Sequence, residues 1–278
     1  MKRILVPTDF SSDASNAVKF AYLISKENGY KFSLLNVYNF AVYDPNMPPE
    51  ILSDVIKQSS ENSAAGLELL ADEFENTYPE FKNFLEDKIT AEGNTIEAIE
   101  NAAEEGKFDF IVMGTKGASG LEEVLIGSNA YSVLAKSKIP VLVIPEKAEY
   151  NGFQNILYAV DLTGSELPAV KKAEELLNFE KSDLTFLHLS GELEDDLTND
   201  EKVFFDELRN EMKNISCKFE FAKCVEIAHC VEELLKKLKS DLLIVSKKKR
   251  DFLGNLFHKS VSKKLACHTD VPLLALHK

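Results

Sequence analysis

Phe110-Ile111-Val112-Met113-Gly114-Thr115-Lys116-Gly117 is the stretch on which the reading of this 278-residue chain turns. A short apolar run of this kind is a buried strand, and it opens directly into glycine. The spacing then continues as Gly114-x2-Gly117-x9-Gly127-Ser128, with a helix expected to begin near Gly127 or a little before it. Glycine permits positive φ and lets amide N–H groups come close to a ligand. Amides gathered near a helix N-terminus suit anionic oxygens, phosphates above all. Strand, spacing and Ser128 together predict a nucleotide phosphate site, and the competing reading is a loop that needs glycine only to turn.

The surrounding chain supplies a scaffold for such a site. Residues 1–145 alternate strand and helix patterns, with strands expected at Ile4–Pro7, Phe32–Tyr38, Phe84–Thr90, Phe108–Met113 and Val141–Ile144. Helices are expected at Ser12–Asn28, Ile51–Thr77, Thr95–Glu105 and Leu121–Lys136. Gly29 is read as the stop of the first helix, Thr95 as the cap of the third and Gly106 as its end. Short unbroken apolar strands joined by helices predict an α/β fold with a parallel sheet covered on both faces.

The pattern is written twice. Ile4-Leu5-Val6-Pro7-Thr8-Asp9 lines up with Ile156-Leu157-Tyr158-Ala159-Val160-Asp161, and Asp109-Phe110-Ile111-Val112 with Asp241-Leu242-Leu243-Ile244. Ser128 falls on Ser260 and Pro140-Val141-Leu142 on Pro272-Leu273-Leu274. Two tandem copies of one α/β domain are expected, residues 1–147 and 154–278. In the second copy Gly114, Gly117 and Gly127 become Ser246, Lys249 and Lys259. Side chains there obstruct close backbone approach, so the second copy is expected to bind no nucleotide.

Bulk properties narrow the function. The chain is 45% apolar and 28% charged, the balance of a globular protein, and no apolar run approaches a membrane span. The start, Met1-Lys2-Arg3-Ile4-Leu5-Val6-Pro7, has no signal-peptide character, and a cytoplasmic location is expected. A net charge of −14 argues against nucleic-acid binding. Residues 1–150 hold 13 basic and 24 acidic side chains, so an anionic ligand there must be held by local dipoles. That half has no histidine, which excludes Ser-His-Asp and Cys-His chemistry within it, and the G-x4-G-K-[ST] and G-x-G-x-x-G patterns are absent.

Cys217, Cys224, Cys230 and Cys267 are expected as reduced thiols. His229-Cys230 and Cys267-His268 hold zinc-type ligands without zinc-type spacing, and core cysteines are the preferred reading. Lys247-Lys248-Lys249-Arg250 reads as a solvated loop rather than an anion site. The loop Ala41–Pro49 is either a cover beside the base or an ordinary connection.

The motifs Ile4-Leu5-Val6-Pro7-Thr8-Asp9-Phe10-Ser11, Leu34-Leu35-Asn36-Val37, Met113-Gly114-x2-Gly117-x9-Gly127-Ser128 and Ile139-Pro140-Val141-Leu142-Val143 resemble the universal stress protein family in its tandem two-domain form. The resemblance covers essentially the whole chain. It implies two open five-stranded parallel sheets with helices on both faces, in an adenine nucleotide alpha-hydrolase-like or flavodoxin-like order. Members that keep these glycines generally bind ATP, with or without Mg2+. By that resemblance Pro7, Thr8 and Asp9 end the first strand with Asp9 facing the adenosine, Val37 meets the adenine, and Met113 and Gly114 flank the nucleoside. Gly117, Gly127, Ser128 and Asn129 hold the phosphates, and Ala130 departs from the hydroxyl residue often found there. The family pairs domains through the strand at Val141–Ile144, which implies a homodimer or an internal pseudo-dimer, alongside a protein partner that the residues do not identify. The implied role is a regulatory binding module of the stress response. The rivals are a slow ATP-hydrolysing or adenylating enzyme, and a structural protein with a vestigial site.

Overall fold

A computed structural model describes residues 1–39, 48–115, 127–160, 166–190, 199–212, 215–223, 227–247 and 271–277. Gly117, Asp161, Lys249, Lys259, Ser260, most of the 41–49 loop and all but Lys247 of the basic run lie outside the described residues. The chain divides into two compact units, and in sequence the division falls between Glu146 and Lys147.

In the first unit five strands, β1 (Arg3–Pro7), β2 (Lys31–Tyr38), β3 (Leu85–Glu92), β4 (Phe110–Gly114) and β5 (Val141–Ile144), pair in parallel in the order β3-β2-β1-β4-β5. Of the two orders that the resemblance names, this is not the flavodoxin one, which runs 2-1-3-4-5; it is the 3-2-1-4-5 of a Rossmann half. The second crossover continues outward past β2, and the reversal comes only when the chain returns to lay β4 against β1. The switch point therefore lies between β1 and β4. Ile4, Leu5, Val6, Phe110, Ile111 and Val112 are fully buried, as strands covered on both faces must be.

Four helices, α1 (Ser12–Asn28), α2 (Pro49–Thr77), α3 (Thr95–Glu105) and α4 (Ser128–Lys136), connect these strands. α1 starts where expected: the Ser11 hydroxyl accepts from the Ala14 amide, and Gly29 closes the helix at φ 70. α3 is capped by Asn94, not Thr95, because the Asn94 side chain accepts from the Ile96 and Glu97 amides. Thr95 becomes the first helical residue.

In the second unit β6 (Asn155–Val160), β7 (Asp183–Ser190), β8 (Ser216–Lys223), β9 (Leu242–Lys247) and β10 (Leu273–His277) are parallel in the order β10-β9-β6-β7-β8. Its described helices are α5 (Leu167–Leu177), α6 (Asn199–Glu211) and α7 (Ile227–Leu238). The repeat extends to single hydrogen bonds. Asp109 accepts from the Arg3 amide at 2.9 Å as β1 begins, and Asp241 accepts from the Gln154 and Asn155 amides at 2.8 and 3.0 Å as β6 begins.

Cys217 is a free thiol, half-buried, whereas Cys230 is disulfide-bonded, against the reduced-thiol expectation. Among the described residues there is no cluster suited to a metal ion and no helix long and apolar enough to cross a membrane.

Candidate functional site

The carboxyl end of β1 is built by side chains that tie it to its neighbours. The Thr8 amide extends the ladder to Leu35 O at 2.8 Å, and the Asn36 amide group donates to Thr8 O at 2.8 Å. The Ser63 hydroxyl of α2 donates in turn to Asn36 Oδ1 at 2.7 Å, inside the protein. The chain then turns sharply. Phe10 adopts φ 66, a left-handed conformation that costs an aromatic residue about 1–2 kcal/mol. Two contacts hold it there. The Phe10 amide donates to Thr8 Oγ1 at 3.1 Å, and the ring lies over Gly66 of α2, where a Cβ would come within 2.6 Å of it. The turn leaves Asp9 exposed at the start of α1, with its Oδ1 accepting from the Ser11 hydroxyl at 2.6 Å and the Ser11 amide at 3.2 Å.

The end of β4 meets the same helix. Gly114 carries no side chain because there is no room for one: a Cβ would sit 2.8 Å from the backbone C and O of Asp13 and 3.1 Å from the Ala14 amide. Neither Gly114 nor Gly127 takes a positive φ; Gly127 caps α4 at φ −59. Close approach, rather than left-handed backbone, is what Gly114 provides. α4 then begins without a side-chain cap, and the first amides of any helix have no acceptor within it.

These ends enclose a crevice outside the carboxyl edge of the sheet, with about 750 Å³ of space free of protein atoms, part of it open to solvent. Pro7, Thr8 and Asp9 line it from β1, and Val37 from β2. Met113 and Gly114 line it from β4, and Gly127, Ser128 and Asn129 from the start of α4. Nine of the ten residues singled out from the sequence thus converge on one cavity, and Gly117 lies outside the described residues. Five lining residues were not foreseen: Ala14, Leu35, Thr95, Ile99 and Thr115. Thr95 and Ile99 read as cap and core of α3, and only the strand order brings that helix over the crevice. No Lys or Arg lines its described part, so an anion here would meet backbone dipoles and hydroxyls.

The sequence profile of the universal stress protein family matches residues 1–145. The chain belongs to the universal stress protein family. A universal stress protein of Methanocaldococcus jannaschii is 32% identical over 155 residues, covering 52% of this chain and 96% of that one. The crystal structure of a universal stress protein from Archaeoglobus fulgidus covers 99% of this chain and 96% of its own, with a TM-score of 0.66 at 18% identity, and shares the fold. A universal stress protein crystallised in complex with cAMP covers 51% of this chain and 96% of its own, at 25% identity and a TM-score of 0.37.

The second unit differs from the first at the corresponding strand end. Ser246, in the place of Gly114, is buried, and its hydroxyl donates to Glu166 Oε2 at 2.5 Å. Glu166, at the N-cap of α5, is fully buried. Beside them the Tyr158 hydroxyl is fully buried with no hydrogen bond of good geometry; burial first, then the Glu166 charge, pushes its pKa well above the usual phenol value, and the nearby Ser246 hydroxyl offsets part of that.

Proposed function

We propose that this universal stress protein is a regulatory binding module that holds one ATP per chain, with or without Mg2+, in the crevice of its first domain. The observation that carries this reading is the convergence of Pro7, Thr8, Asp9, Val37, Met113, Gly114, Gly127, Ser128 and Asn129 on one cavity at the β1–β4 switch point. Ligands of open α/β sheets bind at such points. Its apolar inner wall, including Leu35, Val37 and Ile99, suits a base, and the uncapped start of α4 suits phosphate oxygens.

The reading extends to the whole chain. Residues 1–147 form the nucleotide-binding domain, and residues 154–278 form a partner domain that has lost the site. On this reading the nucleotide is held rather than turned over, and any hydrolysis is slow. Binding and release of nucleotide would alter the surface offered to a protein partner in the cytoplasm. The chain acts as a homodimer or as an internal pseudo-dimer.

Native mass spectrometry of the purified chain tests the nucleotide count and the assembly together, and calorimetry with ATP, ADP, AMP and cAMP tests the ligand. The expected result is one adenine nucleotide per chain with very slow ADP production. Two equivalent sites, or none, would overturn it, and steady turnover would favour an enzyme on the same scaffold.

A further inference from the structure

We propose that Asp13 is the positioning residue of the nucleotide crevice, acting through Thr115 to fix the start of α4 on which the phosphates are placed. The inference rests on the nucleotide reading above. Asp13 is the second residue of α1, and only 4% of it is exposed. It does not line the crevice; its neighbour Ala14 does. Its Oδ2 accepts from the Thr115 hydroxyl at 3.0 Å, in the interior. Thr115 is itself a junction. Its amide donates to Ile144 O at 3.1 Å at the end of β5, and its carbonyl accepts from the Gly127 amide at 2.5 Å. One buried carboxylate therefore sets the residue from which the N-cap of α4 hangs.

The pieces depend on one another physically. A carboxylate is costly to bury unless it is hydrogen-bonded, and at the N-terminus of α1 the helix dipole adds to what the Thr115 hydroxyl supplies. That hydroxyl can reach Asp13 only because Gly114, one residue earlier, lets β4 press against the first turn of α1. Asp13 makes no wall of the crevice, so its influence on a ligand is indirect, and Thr115, which does line the crevice, is the route that its hydrogen bond provides. That influence falls on the α4 side, where the phosphates are proposed to sit, and not on the base side formed by Leu35 and Val37.

The test measures ATP and adenosine affinity on the full chain by calorimetry, for Asp13→Ala, Asp13→Asn, Thr115→Val, Thr115→Ser and the Asp13→Ala/Thr115→Val pair. Asp13→Ala and Thr115→Val should each weaken ATP about tenfold and leave adenosine within about twofold, the scale of one charge-assisted hydrogen bond felt on the phosphate side. The double variant should be no worse than either single one, and Thr115→Ser, which keeps the hydroxyl, should retain more ATP affinity than Thr115→Val. Equal losses for ATP and adenosine, additive losses in the double variant, or an unchanged ATP affinity would overturn the proposal. Where Asp13→Ala does not fold, Asp13→Asn and the two Thr115 variants carry the same comparison. Amide hydrogen exchange without nucleotide supplies the second readout: the Gly127 amide should exchange at least about tenfold faster in Asp13→Ala and Thr115→Val, and more slowly in Thr115→Ser than in Thr115→Val. Unchanged exchange would also overturn it. A parent chain that binds neither ATP nor adenosine defeats the nucleotide reading, while the exchange result still decides whether Asp13 holds Thr115.

Discussion

In the first unit the fourth strand ends at Gly114 against the bare backbone of Asp13, and the following Thr115 reaches back to the Asp13 carboxylate. In the second unit the corresponding strand reaches Ser246, whose hydroxyl is turned to the buried Glu166 beside the Tyr158 hydroxyl. Both junctions fasten a strand end to a helix start by a hydroxyl–carboxylate hydrogen bond. The first places that bond beside the crevice and leaves the crevice itself open. The second fills the strand end with side chains. The same fold thus carries the fastening hydroxyl either on the residue after the strand end, as at Thr115, or on the strand itself, as at Ser246.

Gly114→Ser imports the second arrangement into the first unit and is expected to change both stability and binding. The new Cβ meets backbone, which cannot swing aside, so the α1 turn must move at a cost of about 1–3 kcal/mol. Denaturant melts should show that loss, and calorimetry should show ATP affinity reduced at least tenfold, roughly the effect of one misplaced polar contact. A variant of unchanged stability and affinity would show that close approach at Gly114 is not what the glycine provides. Gly117→Lys copies Lys249 of the second repeat. The variant should bind no ATP by calorimetry while remaining folded by its denaturant melt. Undiminished binding by the folded variant would remove the phosphates from this position.

The reverse exchange, Ser246→Gly, sharpens the comparison. It deprives the buried Glu166 carboxylate of its donor at 2.5 Å and should destabilise the second unit by about 2 kcal/mol. It should gain no nucleotide, because a glycine at one position does not restore Gly117 and Gly127 as well. Appearance of a second ATP in native mass spectra would mean that Ser246 alone closes that site.

What the sequence showed and what it hid divide along the same line. β1 and β5 and the span of α1 were legible because each is a local matter: an apolar run, a helical apolar spacing, a Gly29 stop. Nine of the ten residues that the resemblance singles out line one crevice because they belong to motifs at strand ends and at the start of α4. Asp13 was not, since its partner Thr115 is 102 residues away and their meeting depends on β4 lying beside β1. The same holds for Ile99, whose apolar periodicity says only that one face of α3 is covered, not that the cover includes a crevice. The Asn94 cap was misassigned to Thr95 because adjacent capping residues compete, and two amides within reach decided for Asn94. Glu166 was silent for a further reason: nothing local distinguishes a carboxylate that will be buried at a helix start from one that will be solvated there.

Tyr158→Phe gives the smallest effect and isolates the second junction from the first. The phenol is fully buried without a hydrogen bond of good geometry, so deleting its oxygen removes a desolvation penalty and should stabilise the second unit by about 1 kcal/mol. The sign of the pH dependence follows from its raised pKa. The folded state holds the phenolic proton more tightly than the unfolded chain, so the full stability is present below the unfolded value of about 10 and declines as the pH rises past it. Urea melts at neutral pH and at pH values above that point should show the parent losing more stability than Tyr158→Phe, with the gap widening as the pH rises. A gap that stays constant would mean that the phenol ionises alike in both states, which a buried hydroxyl beside the Glu166 charge should not do.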